Sequence, residues 1–109
     1  MQRYETILTE DAERDLSEIF DYIAAHDTLA AANHVLDRVE RAIDDLSSFP
    51  ERGSFPKELI ALGIRDYRQV LFGPYRLIYR VIGTSVYIYL IVDGRRDMQS
   101  LLARRLLGS

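Results

Sequence analysis

The 109-residue sequence contains no cysteine, which excludes disulfides and thiolate metal sites and fits a reducing compartment. Its two histidines, His26 and His34, stand apart from each other and from any metal-ligand spacing, so no metal centre is expected. No glycine-rich phosphate loop or dinucleotide pattern occurs. Ser47, Ser48, Ser85 and Ser100 lack a neighbouring base, which argues against a hydrolase. The longest apolar run, at residues 86–92, is far shorter than the ~20 residues of a membrane-spanning helix, and no charged-then-apolar leader opens the sequence. These absences lead us to expect a cytoplasmic protein with no cofactor and no membrane partner. Repeats and low-complexity tracts are missing too. With 48% hydrophobic and 28% charged residues, the composition is that of a globular chain, and residues 1–109 are expected to form one domain.

Charge is unevenly spread. Residues 1–50 carry four arginines against twelve acids, a balance of −8, and residues 51–109 carry ten basic residues against five acids, a balance of +5. One molecule with an acidic and a basic face follows, the basic one suited to an anionic partner.

The periodicity reads as follows. "QRYETIL" (2–8) alternates as a short strand. Thr9 can cap a helix whose first turn holds Glu10 and Asp11 and whose stripe is Ala12, Leu16, Ile19, Phe20 and Ile23. "HDT" breaks it, and Asp27 or Thr28 can cap a second helix with the stripe Leu29, Ala32, Val35, Leu36, Val39, Ile43 and Leu46. So short a break makes the pair an antiparallel hairpin. "FPERGSFP" ends it, and "KELIALG" has room for one helical turn. From Asp66 the period becomes two: "DYRQVLF", "YRLIYRVI" and "SVYIYLIVD" are strands joined by Gly73-Pro74 and Gly83-Thr84, an antiparallel meander. Asp97 then caps a short C-terminal helix with Met98, Leu101, Leu102 and Leu106 on its stripe. The fold class is α+β: one antiparallel sheet with the hairpin on one face.

A two-residue turn at Gly83-Thr84 sets the register Val81 to Val86, Arg80 to Tyr87, Ile78 to Tyr89 and Arg76 to Ile91. One face then collects Leu77, Tyr79, Val81, Val86, Ile88, Leu90 and Val92, the core surface. The opposite face collects Arg76, Ile78, Arg80, Tyr87, Tyr89 and Ile91, joined by Tyr67 and Gln69, and is expected to be open. A turn one residue longer reverses the assignment. Arginine forks and tyrosine rings suit RNA bases and phosphates, and equally an acidic protein partner. Arg95 and Arg96, where the last strand runs out, are expected beside Arg76 and Arg80.

The ordered set "TEDAERDLSEIFDYIA", "LSSFPERG", "LGIRDYRQ", "GPYRLIYRV" and "DGRRDMQSLL" resembles the toxins of RelE/ParE-type toxin–antitoxin modules across almost the whole chain. The resemblance implies a toxin neutralised by a cognate, ParD-like antitoxin whose C-terminal segment wraps it. On that reading the antitoxin contacts the helical hairpin at Leu16, Phe20, Val35 and Val39, and then the sheet at Arg76. The superfamily has a branch that cleaves messenger RNA on the ribosome and a ParE branch that inhibits DNA gyrase. Arg76 and Arg96 match arginines of the ribonuclease branch. However, Arg68 and Gln69 stand where that branch has lysines, Leu101 and Leu102 where it has a tyrosine, and Asp93 lies near the place of a histidine before "GRR". Arginine is a poor proton shuttle, and Tyr87 or Asp93 would have to serve as base. "FPERG" with "GPYRLIYRV" and "GRRD" is closer to ParE sequences. The expectation is a gyrase-inhibiting toxin whose functional surface holds Arg76, Arg80, Tyr87, Tyr89, Arg95 and Arg96, with a ribosome-dependent endoribonuclease as the alternative and a degenerate, non-toxic homologue as a third reading.

Overall fold

The computed structural model describes residues 3–108, so Gln2, at the head of the expected first strand, lies outside the described residues. In chain order the elements are β1 (Glu5–Leu8), α1 (Glu10–His26), α2 (Leu29–Ser48), α3 (Lys57–Ile60), β2 (Arg68–Phe72), β3 (Tyr75–Ile82), β4 (Ser85–Asp93) and α4 (Met98–Leu106). The expected caps are in place. Thr9 Oγ1 accepts from the Ala12 amide at 3.2 Å, Thr28 Oγ1 from Ala31 at 3.0 Å and Asp97 Oδ1 from Ser100 at 3.2 Å. Each hydroxyl or carboxylate occupies one amide that the first helical turn leaves unpaired.

The strands run in the order β1-β4-β3-β2. β2, β3 and β4 form the antiparallel meander, with two-residue turns and Gly83 at φ 61°, a left-handed value that a side chain disfavours. β1 differs from the expectation of a wholly antiparallel sheet: it lies parallel to β4, pairing Glu5 with Ser85 through Leu8 with Ile88. A parallel neighbour needs a long crossover, and the helical hairpin supplies part of it.

The register carries a second correction. From the Gly83-Thr84 turn it holds as expected through Arg80 with Tyr87 and Tyr79 with Ile88, and then shifts by one residue. Ile78 pairs with Leu90 rather than Tyr89, and Arg76 with Val92 rather than Ile91, because Tyr89 is an extra residue in a bulge. Leu90 and Val92 therefore leave the hairpin face and Ile91 joins it.

The third correction concerns layers. On the hairpin face, Ala12, Val39, Leu46, Leu77, Tyr79, Val86, Ile88 and Ile91 form one core. The other face is not open: α3 and α4 close it with Leu59, Met98, Leu101 and Leu102 over Ile78, Leu90 and Val92. Met98, Leu101 and Leu102 are the stripe of α4, and the meander's second face is where that stripe finds apolar cover. Burying each such side chain is worth about 1.5–3 kcal/mol, enough to hold a nine-residue helix that could not form alone.

The loop after α2 is tied to the sheet by Tyr79. Its hydroxyl donates to the Pro50 carbonyl at 2.8 Å and accepts from the Gly53 amide at 2.9 Å. Gly53 sits so close that an added Cβ would lie 2.4 Å from the Gln69 carbonyl oxygen, so this position excludes any side chain. Tyr79→Phe strands a buried amide and is expected to cost about 1–3 kcal/mol, read as a lower urea midpoint with an unchanged slope.

Candidate functional site

The structure distributes the expected surface residues over three places. Arg76 leaves β3 on the second face but is only 9% exposed. Its Nη1 donates to Glu58 Oε2 at 2.8 Å and its Nη2 to Glu58 Oε1 at 2.9 Å, a two-pronged ion pair, while Nε donates to Gln69 Oε1 at 2.8 Å. The Arg76 hydrogen bonds pull the Glu58 carboxyl below its ordinary 4.5, against a smaller opposing effect of burial. The expectation of an exposed Arg76 thus gives way to a buried ion pair, because α3 brings Glu58 over the strand. Glu58 carried no signal in "KELI" beyond its place in a short helical turn.

Arg80, Tyr87 and Tyr89 remain together at the other end of the strand. Tyr89 meets Tyr67 edge to face, ring centres 5.5 Å apart, and the Arg80 guanidinium lies 5.8 Å from the Tyr67 ring centre. Tyr87, paired with Arg80 across the strands, is half-buried. Burial raises the Tyr89 hydroxyl pKa above 10.0, and burial likewise raises those of Tyr75 and Tyr79. None of these three phenols is poised to take a proton at neutral pH.

Arg95 and Arg96 do not join Arg80. They border a 450 Å³ hollow on the hairpin side, against Glu18, Tyr22 and Ile23 of α1 and Tyr75 of β3. Arg95 is folded back onto Asp93, its Nη2 donating at 2.6 Å, and this hydrogen bond holds the Asp93 carboxyl below 3.8. Asp93 is thereby occupied rather than free to act as a base. Arg96 is exposed. The two histidines lie elsewhere: His26 stacks on Tyr22 with ring centres 4.2 Å apart, and His34 is exposed on α2.

Of the hairpin residues expected to meet a partner, Leu16, Phe20 and Val35 are half-buried, whereas Val39 is fully buried in the core and offers no surface. Val39 shares its stripe with true surface neighbours, and periodicity alone does not separate the stripe's centre from its rim. Tyr22 and Leu29, 65% and 61% exposed at the hairpin's tip, are apolar surface that the expectation omitted.

A further pair lies where β1 stops short of β4. Asp15, 8% exposed, accepts from the Ile91 amide at 3.1 Å and from both Arg105 Nη groups at 3.1 and 2.8 Å, and Arg105 Nη2 also donates to the Tyr89 carbonyl at 3.1 Å. These are backbone groups of β4 beyond Ile88, where β1 no longer pairs, so the pair completes the sheet edge and ties α4 to α1. The signal for it was an acid and a base each inside an apolar stripe: Asp15 between Ala12 and Leu16, Arg105 beside Leu102 and Leu106.

Residues 6–98 match the sequence profile of the family described as ParE toxin of type II toxin–antitoxin system, parDE. Toxin ParE3 of Caulobacter vibrioides is 28% identical over 99 residues, which covers 91% of this chain and 95% of that toxin. Among solved structures, the chromosomal ParDE system of P. aeruginosa shares the fold, with a TM-score of 0.69 at 17% identity, covering 84% of this chain and 96% of the other. The RelBE2 toxin–antitoxin complex of Mycobacterium tuberculosis matches with a TM-score of 0.56 at 30% identity, covering 85% and 93%.

Proposed function

We propose, since the chain belongs to the ParE toxin family of type II toxin–antitoxin systems, that it arrests growth by binding DNA gyrase without catalytic turnover of its own, and that a ParD-like antitoxin neutralises it. The observation that carries this reading is the state of Arg76. The guanidinium that a ribonuclease would aim at a scissile phosphate is spent on Glu58 and Gln69 beneath α3. Cleavage by 2′-hydroxyl attack also needs a proton acceptor beside that arginine. Of the two candidates among the described residues, Asp93 is engaged by Arg95, and Tyr87 stands opposite Arg80 at the other end of β3 from Arg76; the phenols of Tyr75, Tyr79 and Tyr89 are shifted away from neutrality.

The antitoxin fits the helical hairpin. Half-buried Leu16, Phe20 and Val35, with exposed Tyr22 and Leu29, would receive the apolar stripe of an amphipathic segment. The ribonuclease reading keeps one observation in its favour, the 30% identity to RelBE2. A supercoiling assay with purified gyrase and primer extension on messenger RNA from arrested cells separate the two. Loss of supercoiling with intact transcripts is the expected result; cleavage in codon register with normal supercoiling overturns the gyrase reading.

A further inference from the structure

Two hollows meet at the end of the sheet remote from Arg96. The larger, 690 Å³, is walled by Tyr4, Phe49, Pro50 and Val81, with Phe49 at the C-cap of α2 and 53% exposed. The smaller, 290 Å³, is lined by Phe55, Arg65, Arg68 and Arg80, and it shares Glu51 and Val81 with the first, so the two form one continuous surface. Arg68 lies 4.5 Å and Arg65 5.7 Å from the centre of the Phe55 ring. Arg68 is further fixed by the Gly53 carbonyl, to which its Nη1 donates at 2.8 Å. Among the described residues none of these three arginines is ion-paired with a carboxylate, in contrast to Arg76 and Arg105. Their charges are held on aromatic faces rather than neutralised, and although Arg68 spends Nη1 on backbone carbonyls, Arg65 and Arg80 keep their hydrogen-bonding edges for a partner.

The geometry points to a docking surface for the toxin's protein target, engaging a segment that carries one bulky apolar side chain followed by carboxylates. Exposed aromatic and aliphatic area beside arginine is the composition of a protein contact. A nucleic-acid backbone fits less well, because Glu51 and Asp66 line the same arginine hollow and would face the regular run of phosphates. Discrete carboxylates on a protein segment meet the guanidiniums and avoid both acids. The hairpin assigned above to the antitoxin bears Glu18, Asp21, Asp37 and Glu40 on its exposed faces, so it calls for a partner of the opposite charge. Two surfaces demanding opposite chemistry divide naturally between antitoxin and target. This assignment rests on the reading that the toxin acts by contact.

The test is the double variant Arg65→Gln/Arg80→Gln, with Phe49→Ser as an independent probe of the apolar hollow, both checked for an unchanged thermal melt. Each is induced without antitoxin, measured for affinity to the cognate antitoxin, assayed on purified gyrase and titrated with dT12. The expected result is a loss of toxicity of about tenfold or more with antitoxin affinity unchanged and no binding of dT12 by the wild type. Full toxicity in both folded variants, an equal loss of antitoxin affinity, or dT12 binding that the arginine variant abolishes would each overturn the assignment. If wild type leaves gyrase supercoiling intact while the variants still lose toxicity, the gyrase reading falls and the surface stands. If wild type and variants inhibit gyrase alike, the surface falls and the gyrase reading stands.

Discussion

Asp15→Ala is expected to lower the unfolding free energy by about 3–5 kcal/mol, a large part of the roughly 5–15 kcal/mol that holds a domain of this size. The carboxylate is 8% exposed and serves three donors at once: the Ile91 amide and two nitrogens of Arg105. Removing it leaves a backbone amide without its partner and a largely buried guanidinium with only the longer, 3.7 Å contact to Asp11. Asp15→Leu combined with Arg105→Met removes both charges and is expected to recover most of the loss, leaving the stranded Ile91 amide at about 1–3 kcal/mol. Urea unfolding of the single and double variants checks both values. A double variant no more stable than Asp15→Ala would show that packing, not the poorly compensated charge, sets the cost.

The second large effect is at Arg76. Arg76→Met is expected to cost about 3–5 kcal/mol because Glu58 is left buried without its partner; the side chains of the pair are each 11% exposed. Any loss of toxicity in this variant will follow the loss of folded protein. Arg96→Gln, at an exposed position, is expected to leave stability unchanged, so a change in its toxicity reports on contact alone. The Arg76 pair also gives stability a pH dependence of defined sign. Glu58 has a lower pKa folded than its ordinary 4.5, so its contribution is complete above that value and fades as the pH falls through the lower, folded one. The stability gap between wild type and Glu58→Gln should therefore narrow as the pH drops below 4.5. A gap independent of pH, or an Arg76→Met midpoint equal to wild type, would contradict the pairing.

Features set by near neighbours in the chain were legible before the structure. Thr9, Thr28 and Asp97 cap their helices from three residues away, and the turns at Gly73 and Gly83 fix strand directions locally. What escaped depends on distant partners. The bulge at Tyr89 is stabilised by Asp15 and Arg105, separated by 90 residues, and no local rule at "SVYIYLIVD" announces it. Because side chains alternate along a strand, that one extra residue moved Leu90, Ile91 and Val92 to faces opposite those expected. Burial of Arg76 escaped for a similar reason: its cover comes from Glu58 of α3 and from the close approach of Gly94, and the docking site of α3 is not encoded in its own sequence. The family was legible because its motifs survive such shifts.

The Asp15–Arg105 bridge has a bearing on how the molecule opens in part. Arg105 fastens α4 to α1 through Asp15 and to β4 through the Tyr89 carbonyl. Loosening that one fastening frees Met98, Leu101 and Leu102 to lift from Ile78, Leu90 and Val92, so the amides of α4 are expected to exchange hydrogen as one unit, ahead of those in the hairpin-side core.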